Sequence, residues 1–186
     1  MDRLFSVRFG AIIAIILFAV FSRILPHPPN FTAIGAMALF AGAFLPFAIA
    51  WFIPIVAMVI SDLVINNTVY AELYNQFVWV TPGAAWSMLA VALIAVLGSK
   101  MLAKVSFMRV FGAGFFAALI FFLVSNIGPW LTLDIYPNTL SGLMAAYVAA
   151  IPFFGNTLLG NLFFCMLLFG GFVFLCNRSR AIGVSV

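Results

Sequence analysis

Charge is what this sequence most lacks. Lysine and arginine number eight and aspartate and glutamate four, so 6% of the 186 residues are charged while 67% are hydrophobic. A soluble domain of this size needs a charged exterior that so few ionisable side chains cannot supply. With a mean hydropathy of +1.28, the solvent of this chain is mostly lipid. Histidine occurs once and cysteine twice. One imidazole cannot build a histidine cluster for a metal or a haem. No HExxH, GxSxG or P-loop run is present. Cys165 and Cys176 sit in one apolar run, roughly 16 Å apart along a helix. They cannot pair within it and read as packing residues. No Glu or Lys falls in mid-membrane, where proton relays place them. These absences argue against an enzyme and imply no metal and no cofactor, and no basic patch suggests nucleic-acid binding.

Apolar helix is what the chain has in abundance. A crossing of the hydrocarbon takes about 20 residues, so residues 1–186 have room for six crossings in a single transmembrane domain, without a soluble domain. A transmembrane β-barrel would need alternating apolar and polar residues, whereas "FGAGFFAALIFFLVS" is apolar on every side. The fold class expected is all-α: a polytopic membrane protein built as a six-helix bundle. Arg3 and Arg8 precede the first apolar run as in a secretory signal, but that run ends at "SRILP" without a small-x-small cleavage site, and reads as a retained span. Apolar runs broken by Pro, Gly and polar clusters place spans at about 6–24, 33–46, 48–65, 82–99, 108–128 and 156–176. "NNTVYAELYNQFVWVTP" reads as a polar connection, and "NIGPWLTLDIYPNTLS" as a loop. That loop leads to a short helix at about 140–151 that stops before the last span. Several spans are short for a full crossing, which predicts tilted or partly re-entrant segments.

Charge orients this scheme. With six alternating spans and the N-terminus in the cytoplasm, Arg3, Arg8, Lys100, Lys104, Arg109, Arg178 and Arg180 all lie inside, and only Arg23 lies outside. Basic residues in short cytoplasmic loops set orientation. Both termini are therefore expected in the cytoplasm, and the net charge of +4 is a topology signal.

The outer half then collects most of the remaining polar chemistry. The first outer loop, "RILPHPPNFT", carries Arg23, His27, Asn30 and Thr32; the second region carries Asp62, Asn66, Asn67 and Glu72; the third carries Asn126, Trp130, Asp134 and Tyr136. Asn156 and Asn161 enter the last span. Intramembrane Asp and Asn usually face a cavity or a partner, so the asymmetry points to an outward-facing pocket. Each residue also has a plainer reading. His27 is either an interfacial loop residue or a ligand contact, and Pro26, Pro28 and Pro29, which stiffen the backbone, serve a helix break as well as a gating loop. Asp62 either joins the pocket or pairs with Arg23. The tryptophans and tyrosines either form an interfacial belt or stack on a flat ligand. Asn156 and Asn161 are about 140° apart around a helix, so they cannot both face one narrow stripe.

Four stretches carry a resemblance: "LPHPPNFTAIGAMALFAGAF" at 25–44, "SDL" at 61–63, "SNIGPWL" at 125–131 and "YPNTLSGLMAAYVAAIPFFGNTLLGNLFF" at 136–164. They resemble an uncharacterised family of small bacterial membrane proteins. That family is similar in size, six-span layout and outward-facing site to the substrate-binding S-components of energy-coupling factor (ECF) vitamin transporters. The resemblance implies a bundle in the bacterial cytoplasmic membrane that captures a small molecule, such as a vitamin or its precursor, beneath a lid formed by the first outer loop. Pro28, Pro29 and Asn30 would shape the lid, and Asn126, Trp130, Tyr136, Asn156 and Thr157 would approach the cargo. His27 and Asp62, from the outer polar set, are counted with these residues as candidate substrate contacts. In transporters of that kind an ATP-driven partner module tips the loaded bundle inward. S-components often dock it through Ala-xxx-Ala on the first helix, for which the nearest match here is Gly10 with Ala14. The family pattern more often has an acid after Gly160, where this chain has Asn161.

Two functions follow. The first is a substrate-binding membrane protein for nutrient uptake, partnered by the bilayer, its cargo and an ECF-type transmembrane and ATPase module. The alternative is a non-catalytic accessory subunit of a larger membrane complex, packed through its 23 phenylalanines and its small-residue faces. Cargo binding predicts that the outer polar side chains converge on a cavity; a packing subunit lets them pair off or face water.

Overall fold

A chain in lipid must satisfy its backbone hydrogen bonds internally, and helix is the local way to do so. The computed structural model describes residues 2–181, with side chains for 10 and 12–177, and every regular element among them is helical. In chain order these are α1 (Asp2–Ser22), α2 (Ile34–Phe44), α3 (Phe47–Ala50), α4 (Phe52–Thr68), α5 (Ala71–Tyr74), α6 (Ala84–Met101), α7 (Phe107–Ser125), α8 (Ile127–Thr132) and α9 (Leu140–Ala181). Four segments are long and apolar enough to cross a membrane: Phe47–Thr68, Ala84–Met101, Phe107–Thr132 and Leu140–Asn177. The protein is an all-α membrane protein. Ile12–Ser22 of α1, and α2, are shorter apolar helices. Arg3, Arg8, Arg178 and Arg180, which carry part of the orientation argument, lie outside the described side chains.

Helix α2 is the axis of the bundle. Every residue from Ile34 to Gly42 is buried, and the helix packs against α1, α4, α6, α7 and α9. It can be surrounded on all sides because its small residues let neighbouring backbones come close. A Cβ on Gly42 would collide with the carbonyl oxygen of Ala95, and one on Gly98 would stand 2.5 Å from the carbonyl oxygen of Leu39. Apolar area gives no drive to associate in lipid, so such close backbone approach is what holds helices together there. Beyond the glycines, the fully buried Phe40 meets Phe44, Phe169 and Phe172 at ring-centroid distances of 4.7–5.5 Å.

Helix α9 departs from the sequence-based expectation. The short helix at 140–151 and the span beginning near 156 are one helix of 42 residues with Pro152 inside it. Proline removes one backbone donor, and breaking the helix at apolar "IPFFGN" would strand several more. Continuing is the cheaper solution. At 1.5 Å per residue the helix is about 63 Å long, roughly twice the hydrocarbon thickness. Its first turns therefore run on beside α8 and the end of α7. Tyr147 there donates its hydroxyl to the Leu123 carbonyl oxygen at 2.5 Å.

The α2–α6 contact yields a prediction. Gly42→Val should destabilise the protein by about 3 kcal/mol, at the upper end of overpacking costs because the obstacle is backbone. Gly170→Ala, where nothing lies within 4 Å of the new methyl, should leave stability unchanged. Thermal unfolding of the detergent-purified variants measures both.

Candidate functional site

Helix α2 has 11 residues and so extends only about 16 Å, half the depth of the hydrocarbon. The space beyond its N-terminus is covered by residues 23–33, which turn back through the proline elbow. Phe31 donates its backbone N–H to the Pro28 carbonyl at 3.0 Å, and Asn30 sits at φ 63°. Proline at the first corner of a β-turn and a left-handed Asn at the second are the preferences of a type II turn. His27 also serves the elbow. Its ring nitrogens lie 2.9 Å from the Pro28 carbonyl oxygen and 3.2 Å from that of Arg23.

One stripe of α9 seats the elbow. Asn156 donates from Nδ2 to the Pro29 carbonyl at 3.0 Å. One turn on, the missing side chain of Gly160 lets the Phe31–Thr32 backbone approach, so a Cβ would stand 3.1 Å from Phe31 Cα. The Phe31 ring then rests on Phe163 and Phe164, with centroids 5.8 Å away in each case. A second tether comes from Arg23 at the start of the elbow. It makes an ion pair with Asp62 at 2.7 Å and donates from Nη1 to the Ser61 hydroxyl and to the Met58 carbonyl oxygen at 3.3 Å. Nearby, Asn67 binds both the N–H and the carbonyl of Val78 at 2.8 Å, which fixes the connection leading into α6.

Three adjoining cavities lie at this end of the bundle. A chamber of about 270 Å³ is lined by Asn30, Thr81, Ser87, Ser125, Asn126 and Thr157 on its polar side and by Phe121, Phe122, Phe153 and Phe154 on its apolar side. A deeper chamber of about 110 Å³ shares Asn30, Ser87, Phe121 and Thr157 with it and adds Arg23, Thr32, Gly35, Met58, Asp62 and Asn161. A third, of about 380 Å³, opens beside the elbow among Pro26, His27, Pro29, Asn30, Asp62, Asn66 and Tyr70. Asn30 lines all three. At the rim, Gly83 takes a left-handed φ of 79° and faces Gly128 so closely that a Cβ would stand 3.1 Å from its Cα. The first turn of α6 is thereby set against α8.

The residues expected at a site thus separate. Asn30, Asn126 and Thr157 line the 270 Å³ chamber. His27, Asp62, Pro26 and Pro29 line the cavity beside the elbow, while Pro28 supplies the carbonyl that closes the turn. Asn156 lines none of these cavities and holds the elbow down. Trp130 spends its indole N–H on a 3.1 Å hydrogen bond to the Pro137 carbonyl oxygen, and Tyr136 lines none of them either. Ser87 and Phe121 are lining residues that the sequence did not single out. The signal for Ser87 was its place one turn inside the helix that starts after "TPG".

Residues 4–182 match the model of a family of unknown function, DUF6580, and the chain belongs to that family. No curated protein and no solved structure matches the chain.

The Arg23–Asp62 pair joins the elbow to α4 from positions 13% and 31% exposed. Asp62→Asn should cost about 1.5–3 kcal/mol, the usual loss of a hydrogen bond to a charged group. The double variant Arg23→Leu/Asp62→Leu should be more stable than Asp62→Asn, because no half-buried charge is left unpaired. Thermal unfolding of the two in the same detergent checks the order.

Proposed function

We propose that this member of the DUF6580 family is a substrate-binding protein of the bacterial cytoplasmic membrane. In this reading it captures a small nutrient, such as a vitamin or its precursor, from the outer face. The observation that carries it is the nest of adjoining chambers beneath the proline elbow, with Asn30 common to all of them. Sites for small molecules are typically concave, mainly apolar and aromatic, and equipped with a few placed polar groups. The wall of four phenylalanines facing Asn30, Ser87, Asn126 and Thr157 has that character. The chain acts on its cargo by binding and passage, without chemistry on it.

The six-span layout of an ECF S-component accommodates this site. Helices α1, α4 and α7 run toward the chambers, and α2, α6 and α9 run away from them. Lys100, Lys104 and Arg109 are exposed at the far ends of α6 and α7, and the preference of basic residues for cytoplasmic loops supports an orientation with the chambers outside and both termini inside. The elbow acts as the lid. Its hold on α9 is one amide hydrogen bond, glycine contact and ring packing, which can open without unfolding a helix. Energy for inward release comes from an ATP-driven partner module. Gly10 and Ala14 lie exposed on α1, and the space around Gly10 is open, as docking through that helix requires.

A role as an accessory subunit of a larger membrane complex draws on a different face. Between α7 and α9 runs an apolar groove of about 420 Å³, flanked by Phe107 and Phe111. Native mass spectrometry of detergent-extracted protein separates the two readings. Capture predicts a small molecule on the wild type that is lost when Ser87→Leu fills the chamber and is reduced by Asn126→Ala. Lipid alone on all three proteins would favour the accessory role.

A further inference from the structure

The inner chamber has a deficit of one kind. Among the described residues, two buried side-chain nitrogens have no hydrogen-bond partner, Arg23 Nε and Asn161 Nδ2. Both side chains line the same 110 Å³ chamber. Asn161 is 2% exposed and its amide lies over Gly35, where any Cβ would displace it. Both atoms carry N–H bonds, and guanidinium nitrogens have no acceptor role. Buried polar groups in native proteins are almost always satisfied, so whatever occupies this chamber must present hydrogen-bond acceptors.

Charge narrows the choice. Among the described residues, Arg23 and Asp62 are the only charged ones lining the two inner chambers, and they neutralise each other at 2.7 Å. A carboxylate brought in would face Asp62 as well as Arg23, so a neutral acceptor fits better. Size and shape come from the adjoining chamber. Its 270 Å³ is flanked by Phe121, Phe122, Phe153 and Phe154, side chains that pack on flat rings by offset or edge contacts.

We infer that the cargo is an uncharged, ring-bearing small molecule whose carbonyl oxygen enters the inner chamber and accepts from Asn161 Nδ2 and Arg23 Nε, while its ring lies among the four phenylalanines. This rests on the capture reading and specifies its ligand chemistry. Asn161 fixes the carbonyl end, and Ser87 and Thr157, shared by both chambers, flank the junction.

Three fluorinated probes test this on the full chain in detergent, by ¹⁹F NMR titration. 4-Fluorobenzamide is neutral and has the carbonyl, 4-fluorobenzoate has the charge, and 4-fluoroaniline has the ring without the carbonyl. The benzamide should bind saturably and about tenfold more tightly than either of the others, the scale of one hydrogen-bond deficit repaired. Asn161→Leu, close in volume, should erase that preference while leaving ring binding. The wild-type comparison needs no variant, so it stands even if Asn161→Leu misfolds. Equal binding of the three probes, no saturable binding, or a benzamide preference that survives Asn161→Leu in folded protein would each overturn the inference. Should a Ser87-dependent cargo appear in native mass spectrometry while the benzamide preference is absent, capture stands and the carbonyl assignment falls. Water alone then satisfies the two donors.

Discussion

The rest of the structure depends on the contact between α2 and α6, where Gly42 meets the Ala95 carbonyl and Gly98 meets the Leu39 backbone. Two helices can come this close only if both give up side chains at the crossing. That closeness lets α2 be enclosed by α1, α4, α6, α7 and α9, and enclosure is what tolerates a helix too short to cross. An 11-residue helix ends about halfway through a bilayer's hydrocarbon. The column above it must then be filled by something else.

What fills it is irregular backbone and polar side chains, admissible at membrane depth only where protein or a cavity surrounds them. The elbow at 23–33 closes the column from above, with its turn bonded internally and its flanks tied to α4 through Arg23 and to α9 through Asn156. Beneath it lie the chambers. One constraint thus accounts for the short helix, the proline elbow and the cavities together. The same arrangement separates two duties among the polar residues. Asn67 and Asn156 hold backbone in place, whereas Asn30, Ser87, Thr157 and Asn161 line the chambers. Arg23 does both, tied to α4 through Asp62 and lining the inner chamber.

Much of this architecture is legible in the sequence, because lipid imposes long apolar runs and those runs mark helices. The elbow is legible too: "PPN" states both corners of its turn. Pro152 misleads within α9, because proline and glycine in "IPFFGN" signal a break in water, while in an apolar environment the remaining backbone donors outweigh the one that is missing. Trp130 and Tyr136 are expected at the cargo for their rings, yet the rings that line the chamber belong to phenylalanines, which are too numerous in this chain for any four to stand out. Asn161 is visible as a polar residue in an apolar run. Its direction is not, because that depends on Gly35 of a different helix making room for it.

The central claim is that the space above the short helix is a chamber open to the outer face. It is tested most directly by placing single cysteines in a Cys165→Ala/Cys176→Ala background and exposing intact cells to a small, membrane-impermeant thiol reagent. The account predicts that Ser87→Cys is modified from outside and that Lys104→Cys is modified only after the membrane is permeabilised. Reaction in the reverse order, or a Ser87→Cys that stays unreactive from both sides in folded protein, would contradict it.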